Sequence, residues 1–158
     1  MATACLLTLD AYDPSNRQHR VELAAALLSR LEACGFVEDH RPGTRERVFG
    51  RAVHTSPGVR VLVYTSVVGD EVRREGKDAI RVVAIYRTRD ERERGIARAD
   101  KRVNRTGDIP GIVERVYQRM RDVYGAAMNA HKCGRCGAPK FKSKAGNEVC
   151  ADICWKED

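Results

Sequence analysis

The chain has 158 residues, 42% of them apolar, and five prolines, enough for one ordinary globular domain with a small appendage and too ordered a composition for extensive disorder. Its formal charge is +7 and its pI about 9.3, a balance that favours polyanionic partners such as nucleic acid. No apolar run approaches the ~18 residues of a membrane helix, and the opening MATACLLTLDAYD has neither the basic lead-in nor the cleavage site of a signal peptide. The expectation is a cytoplasmic protein with no membrane partner.

Residues 4–9 have the pattern of a short strand. Asp13-Pro14 offers an N-cap followed by proline at the first helical position. Val21, Ala24, Ala25, Leu28 and Leu31 then recur at helical spacing, widened by Leu27, and Gly35 ends the helix, so a helix is expected over about 14–34. Turns at 41–45 and 54–58 bracket a strand over 47–53. Val59–Val68 is strongly strand-like, with apolar residues at both parities, which suits a central strand. A polar hairpin connection (69–77) leads into a second apolar strand, 78–87. After a charged tip at 89–94, residues 95–105 suit a more polar edge strand. Thr106-Gly107-Asp108 caps a last helix with Pro110 in its first turn. Its apolar stripe is Ile109, Val113, Val116, Met120, Val123 and Ala127, widened by Tyr117 and Tyr124, and it should end near Ala130. Strands linked as hairpins and flanked by helices make an α+β fold: an antiparallel sheet with two long helices on one face. Residues 1–131 are expected to form that domain and 132–158 a separate small module.

Four of the six cysteines fall within 22 residues, as Cys133-x₂-Cys136, thirteen residues, then Cys150-x₃-Cys154. Such crowding points to a metal site in a reducing compartment and not to a disulfide framework, whereas Cys5 and Cys34 stand alone in apolar surroundings as small core residues. Four thiolates suit a tetrahedral Zn²⁺, and a C-x₂-C turn presents two of them together, with Gly134 and Gly137 supplying backbone freedom. Between the pairs, 140–144 and 148–149 can run as strands about Ala145-Gly146-Asn147, Phe141 and Val149 covering the metal. A segment this small has little core, so metal binding would supply most of its folding free energy. His131 is an outside ligand candidate that also simply ends the helix. Four thiolates on one Zn²⁺ would bring the net charge from +7 towards +5.

The knuckle C-G-R-C-G makes residues 132–156 resemble zinc ribbon and treble-clef modules. The resemblance implies one structural zinc ion held by Cys133, Cys136, Cys150 and Cys154. The wider second spacing departs from the usual C-x₂-C and suits a helical turn carrying Trp155 outward. A closed four-thiolate site has no open position for catalysis, so function would rest on what the module displays.

Three basic clusters are candidates for contacts with a nucleic-acid backbone. Lys140, Lys142 and Lys144 alternate on one strand face beside Trp155. Arg94, Arg98 and Arg102 share a parity with Asn104, with Lys101 and Arg105 on the other, and Arg115 and Arg119 lie one turn apart on the last helix. Contacts of this kind are electrostatic and not sequence-specific. The competing account is a solvated surface, neutralised by Asp90, Glu91, Glu93 and Asp100. Asp70 with Glu75-Gly76-Lys77 is a weak catalytic candidate, in the style of Mg²⁺-dependent nucleases. Nucleic-acid binding, DNA or RNA, is the favoured function; a protein-binding adaptor that docks a partner through the zinc module, and a metal-dependent nuclease, are the alternatives.

Overall fold

The computed structural model describes residues 11–96 and 101–152. The expected strand at 4–9, together with Cys5, Arg98, Asp100, Cys154 and Trp155, lies outside the described residues. The described chain has an antiparallel sheet, two helices and a cysteine cluster near its C-terminal end.

Helix α1 spans Arg17–Ala33. Its N-cap is Asn16, which accepts from the His19 backbone N–H, and not Asp13. Asp13 instead closes a local turn with the Ser15 N–H and hydroxyl. Either residue type can cap a helix; the turn through Pro14 and Ser15 uses Asp13 first, and the helix begins a turn later. The buried seam is Leu23, Ala24, Leu27 and Leu31, with Ala25 exposed. Apolar residues nearly encircle this helix, so spacing alone could not select the side that packs.

The main sheet runs β1 (Val37–Glu38), β2 (Val48–Ala52), β3 (Val59–Thr65), then β6 (Asp78–Arg87), with β7 (Glu93–Gly95) and β8 (Lys101–Asn104) both along the far edge of β6. The strand expected over 59–68 breaks at Ser66, whose N–H and hydroxyl both bond the Ala79 carbonyl. Beyond it β4 (Val67–Val68) turns back through Gly69-Asp70 onto β5 (Glu71–Val72) as a separate small hairpin. Helix α2 covers Ile109–Met128, capped as expected by Asp108, whose carboxylate accepts from the Gly111 N–H at 2.9 Å. Val113, Val116, Met120, Val123 and Ala127 are buried, and Ile112 takes the place expected for Ile109.

Residues of one parity, Val59, Val61 and Val63 of β3 with Ile80, Val82 and Ala84 of β6, belong to the same core as Leu23, Leu27 and Leu31 of α1 and the buried seam of α2. Leu62, Val83 and Ile85, of the opposite parity, form a second small cluster with Tyr64. Long side chains cover that side: Arg60 lies so close over Gly50 that its guanidinium would sit 2.5 Å from an added Cβ, and Arg81 stacks 4.5 Å from the Tyr64 ring centre. Their aliphatic stems shield apolar surface while their heads stay wet.

Ion pairs join that surface to the loop before β2. Arg41 pairs bidentately with Glu93, and Arg60 with Asp39 at 3.1 Å. The Arg41 guanidinium holds the Glu93 carboxyl below its ordinary range, as Arg47 does for Glu38. A lowered carboxyl adds stability above its unfolded-state value, and that contribution disappears as pH falls through the folded value. Arg41→Gln should therefore destabilise the fold at pH 7 by about 0.2–1 kcal/mol, the range of solvent-screened pairs, and the difference from wild type should shrink as pH falls from 7 to 3. Denaturant midpoints at the two pH values measure this, and a pH-independent difference would contradict it.

Candidate metal centre and basic surfaces

Helix α2 ends at Met128, and the chain turns at once into the cysteine cluster. The Cys133 N–H bonds the Ala138 carbonyl at 2.7 Å and the Gly137 N–H bonds the Cys133 carbonyl at 2.8 Å, closing a tight knuckle. Gly137 has φ +77°, a conformation that favours glycine, whereas Gly134 has an ordinary φ and open space about it. Only the second glycine is therefore required by the turn. Strands β9 (Lys140–Lys142) and β10 (Glu148–Cys150) pair with Cys150 opposite Lys140, which carries Cys150 back to the knuckle.

The sulfurs of Cys133, Cys136 and Cys150 all lie within 4.8 Å of one another, the only such group of potential ligands among the described residues. Cys136 and Cys150 Sγ are 3.5 Å apart, too far for a disulfide at ~2.05 Å. Tetrahedral thiolates at ~2.3 Å from a metal stand about 3.8 Å from each other, so the spacing fits a bound ion. Cys133 and Cys150 are buried and Cys136 is exposed. The Asp152 N–H points at Cys150 Sγ from 3.3 Å, the kind of donor that steadies a ligating thiolate. Cys154 lies outside the described residues. His131 is not in that group, and its ring bonds Glu148 at 3.0 Å.

The cover of the cluster differs from expectation. Ala138 and Tyr86 pack on Cys133 and Cys150. Phe141 leans instead on the main core, with the Arg94 guanidinium 5.8 Å from its ring centre, and Val149 lies opposite it on β10. The cluster is tied to the sheet by a group the sequence did not single out. Asp152 is buried, accepts from the Tyr86 hydroxyl at 2.7 Å, and pairs with Arg89 at 3.4 Å. Burial, with Asp152 beside it, raises the Tyr86 hydroxyl pKa, keeping it a proton donor. The only sequence signal for this anchor is an acidic residue between two cysteines, which surface loops carry just as often.

The expected arginine row is split. Arg94 stands opposite Tyr86, while Arg102 stands opposite Arg81, residues of opposite parity on β6. The intervening chain holds three more residues than the pairing consumes, so β8 resumes on the other parity. Arg105 is no surface cation. It is buried, its N–H bonds the Lys77 carbonyl, and its guanidinium donates to the Arg73 and Glu75 carbonyls. Arg115 donates to the Asn104 and Thr106 carbonyls at the start of α2. Arg102, Arg115 and Arg119 nonetheless line one concavity of about 320 Å³ between β8 and α2, with Asn104 and Gln118. Glu114 and Asp122 share it, and Arg102 pairs with Asp78 at 3.3 Å. Lys140 and Lys142 are on β9, but Lys144 falls in the following turn and does not extend their row. Asp70, Glu75 and Lys77 are exposed on two successive turns, and among the described residues neither carboxylate belongs to a group of three potential metal ligands.

Comparison with family models, with curated proteins and with solved structures finds no match for this chain.

The cysteine geometry sets a measurable expectation. Thiol titration of metal-free protein should find Cys133, Cys136 and Cys150 reactive, and a thiophilic divalent ion should protect all three together. Cys150→Ser should abolish that joint protection. Independent, unequal protection of the three sulfurs would show that they do not share one ion.

Proposed function

We propose that the chain is a non-enzymatic nucleic-acid-binding protein whose C-terminal module, residues 132–158, holds one structural zinc ion. In this proposal Cys154 supplies the fourth thiolate beside Cys133, Cys136 and Cys150. Both helices lie on one face of the sheet in a domain of residues 1–131. Thiolates are the donor set that zinc prefers, and a closed set of four leaves it no catalytic position.

The observation that carries the binding role is the concavity lined by Arg102, Arg115 and Arg119. Arg115 is held there by backbone carbonyls, which fix its direction without cancelling its charge. Arg119 meets Asp122 only at 4.0 Å. With Asn104 and Gln118 alongside, these cations suit phosphate oxygens and sugar hydroxyls, contacts that position a strand without reading its sequence. Arg94, Lys140, Lys142 and Lys144 extend the basic surface onto the zinc module, and Trp155 is the aromatic on which a base of a single strand would stack. Arg98 is a further candidate cation for the track; Arg105 is withdrawn from it by its structural bonds.

Oligonucleotide shift assays with single- and double-stranded DNA and RNA test this. Binding should appear at low salt and weaken steeply as salt rises. Lys142→Ala with Lys144→Ala, and separately Arg119→Gln, should each lower the slope of log affinity on log salt by roughly 0.7–0.9 for every phosphate left without its cation. Trp155→Ala should cost single strands about 1–3 kcal/mol and duplexes far less. Absence of binding to all four substrates at low salt would remove this function and leave the adaptor that docks a protein through its zinc module. Degradation that needs added Mg²⁺ and is abolished by Glu75→Gln would make the protein a nuclease.

A further inference from the structure

A second basic site lies away from that track, between the C-terminal end of α1, β2 and the middle of α2. Arg30, Arg51 and Arg121 line a cleft of about 690 Å³ with Tyr117 and Tyr124, and no carboxylate lines it among the described residues. The volume is within the ~300–1,000 Å³ usual for small-molecule sites.

The arginines are held by rings in place of acids. Arg30 and Arg121 lie 5.0 and 5.7 Å from the centre of the Tyr117 ring, and Arg51 lies 4.5 Å from that of Tyr124. A cation on an aromatic face is attracted by the ring quadrupole, which orients the guanidinium but leaves its charge uncancelled. Arg51 also donates to the Cys34 carbonyl at 2.9 Å, at the negative end of the α1 dipole. That offsets part of one charge. Arg30 and Arg121 have no ion-pair partner among the described residues, although elsewhere on the surface Arg17, Arg41, Arg47 and Arg60 all pair with acids. Three convergent cations in a concavity repel one another, and an anion bound between them removes the repulsion. Guanidinium groups stacked on rings also offer flat surfaces on which a base can lie.

We propose that this cleft binds a nucleoside phosphate, its phosphate between Arg30, Arg51 and Arg121 and its base on the planes of the stacked guanidinium and tyrosine groups. The ligand is either a free nucleotide or the 5′-phosphorylated end of a strand. The site is independent of the backbone track: none of its three arginines belongs to the concavity between β8 and α2.

Calorimetric titration at low salt with AMP, ATP, inorganic phosphate and a 5′-phosphorylated oligonucleotide tests this on the full chain. Saturable binding of AMP or ATP at least tenfold tighter than inorganic phosphate is expected for a free nucleotide. Binding of the phosphorylated oligonucleotide, at least tenfold tighter than its unphosphorylated form and without AMP or ATP binding, identifies a strand end. In either case Arg30→Gln with Arg121→Gln should weaken binding at least tenfold, while Arg17→Gln should leave it unchanged. Arg121 is exposed, so Arg121→Gln alone keeps the fold and should give a several-fold loss. Cys34, half-buried on the cleft wall, supplies a second readout: bound ligand should slow its alkylation, followed by peptide mass spectrometry. The assignment is overturned by no binding of any nucleotide probe, by phosphate binding as tightly as AMP, by binding that survives loss of both arginines, or by an unchanged alkylation rate at saturation. Oligonucleotide binding that keeps its salt slope in the double variant, with no response to AMP or terminal phosphate, overturns the cleft alone and leaves the track intact.

Discussion

Ten residues of β6, Asp78–Arg87, run the length of the sheet and pair with β3 from Val59↔Tyr86 to Thr65↔Ile80 without a register slip. Register is a strong constraint here because a one-residue slip would exchange Val61, Val63, Val82 and Ala84, buried in the main core, with Arg60, Tyr64 and Arg81. The cysteine cluster and the concavity beside α2 both hang from the ends of this strand. At one end Tyr86 reaches Asp152 and the cysteine cluster; at the other, β8 brings Arg102 to the concavity beside α2. The separation of the cysteine cluster from that concavity therefore follows from the length of β6, which its pairing with β3 keeps extended.

Arginine has two different uses in this molecule, and they separate by partner. Arg105 and Arg115 direct their N–H groups at loop carbonyls. About five donors in a rigid fork suit a residue that must satisfy several carbonyls in a turn, which a lysine point charge cannot do. The close fit restricts its neighbour: the Arg105 guanidinium would lie 2.8 Å from any Cβ at residue 76, where φ is +100°, so Gly76 is required on two grounds. Arg30 and Arg121 are the opposite case, oriented by the Tyr117 ring with no acid beside them among the described residues, and Arg51 combines a ring with one carbonyl. High arginine content by itself does not distinguish scaffold from binding surface; burial and an acidic partner withdraw a guanidinium, whereas a carbonyl or a ring only orients it.

That distinction explains what was legible in the sequence. Helix α2 was readable because its apolar stripe is narrow and Asp108 and Pro110 mark its start; α1 was readable as a helix, but its alanine-rich circumference concealed which side packs. The antiparallel β3–β6 pair followed from apolar residues at both parities. The break at Ser66 did not, because it depends on a bond to Ala79 thirteen residues away. Spacing identified Cys133, Cys136 and Cys150 because metal geometry is local. The arginine row failed because parity counting assumes an unbroken strand, and three extra residues before β8 invert it. Burial of Arg105, the Asp152 anchor and the cleft over Tyr117 are long-range facts, joining residues 30 or more positions apart, and no local pattern announces them.

The Asp152 anchor has a consequence for how the two halves of the molecule respond to loss of metal. Asp152 is two residues from Cys150 and one from Ala151, which belongs to the main core. Its carboxylate accepts from Tyr86 and from Arg89, so the sheet side supplies compensation for its charge. Unfolding the knuckle at 133–137 therefore leaves that ion pair intact, provided the chain through 151–152 stays seated. Arg89 is half exposed, but the Asp152 carboxylate is itself buried and bonded to Tyr86; pulling it away would leave the Tyr86 hydroxyl without its acceptor, which opposes release of Asp152. Metal loss is expected to free the knuckle and the β9–β10 turn first, with residues 150–152 held to β6 until the sheet itself opens. The cysteine segment is thus fastened to the sheet by a carboxylate through Tyr86, an attachment that would persist whether or not an ion is held by its sulfurs.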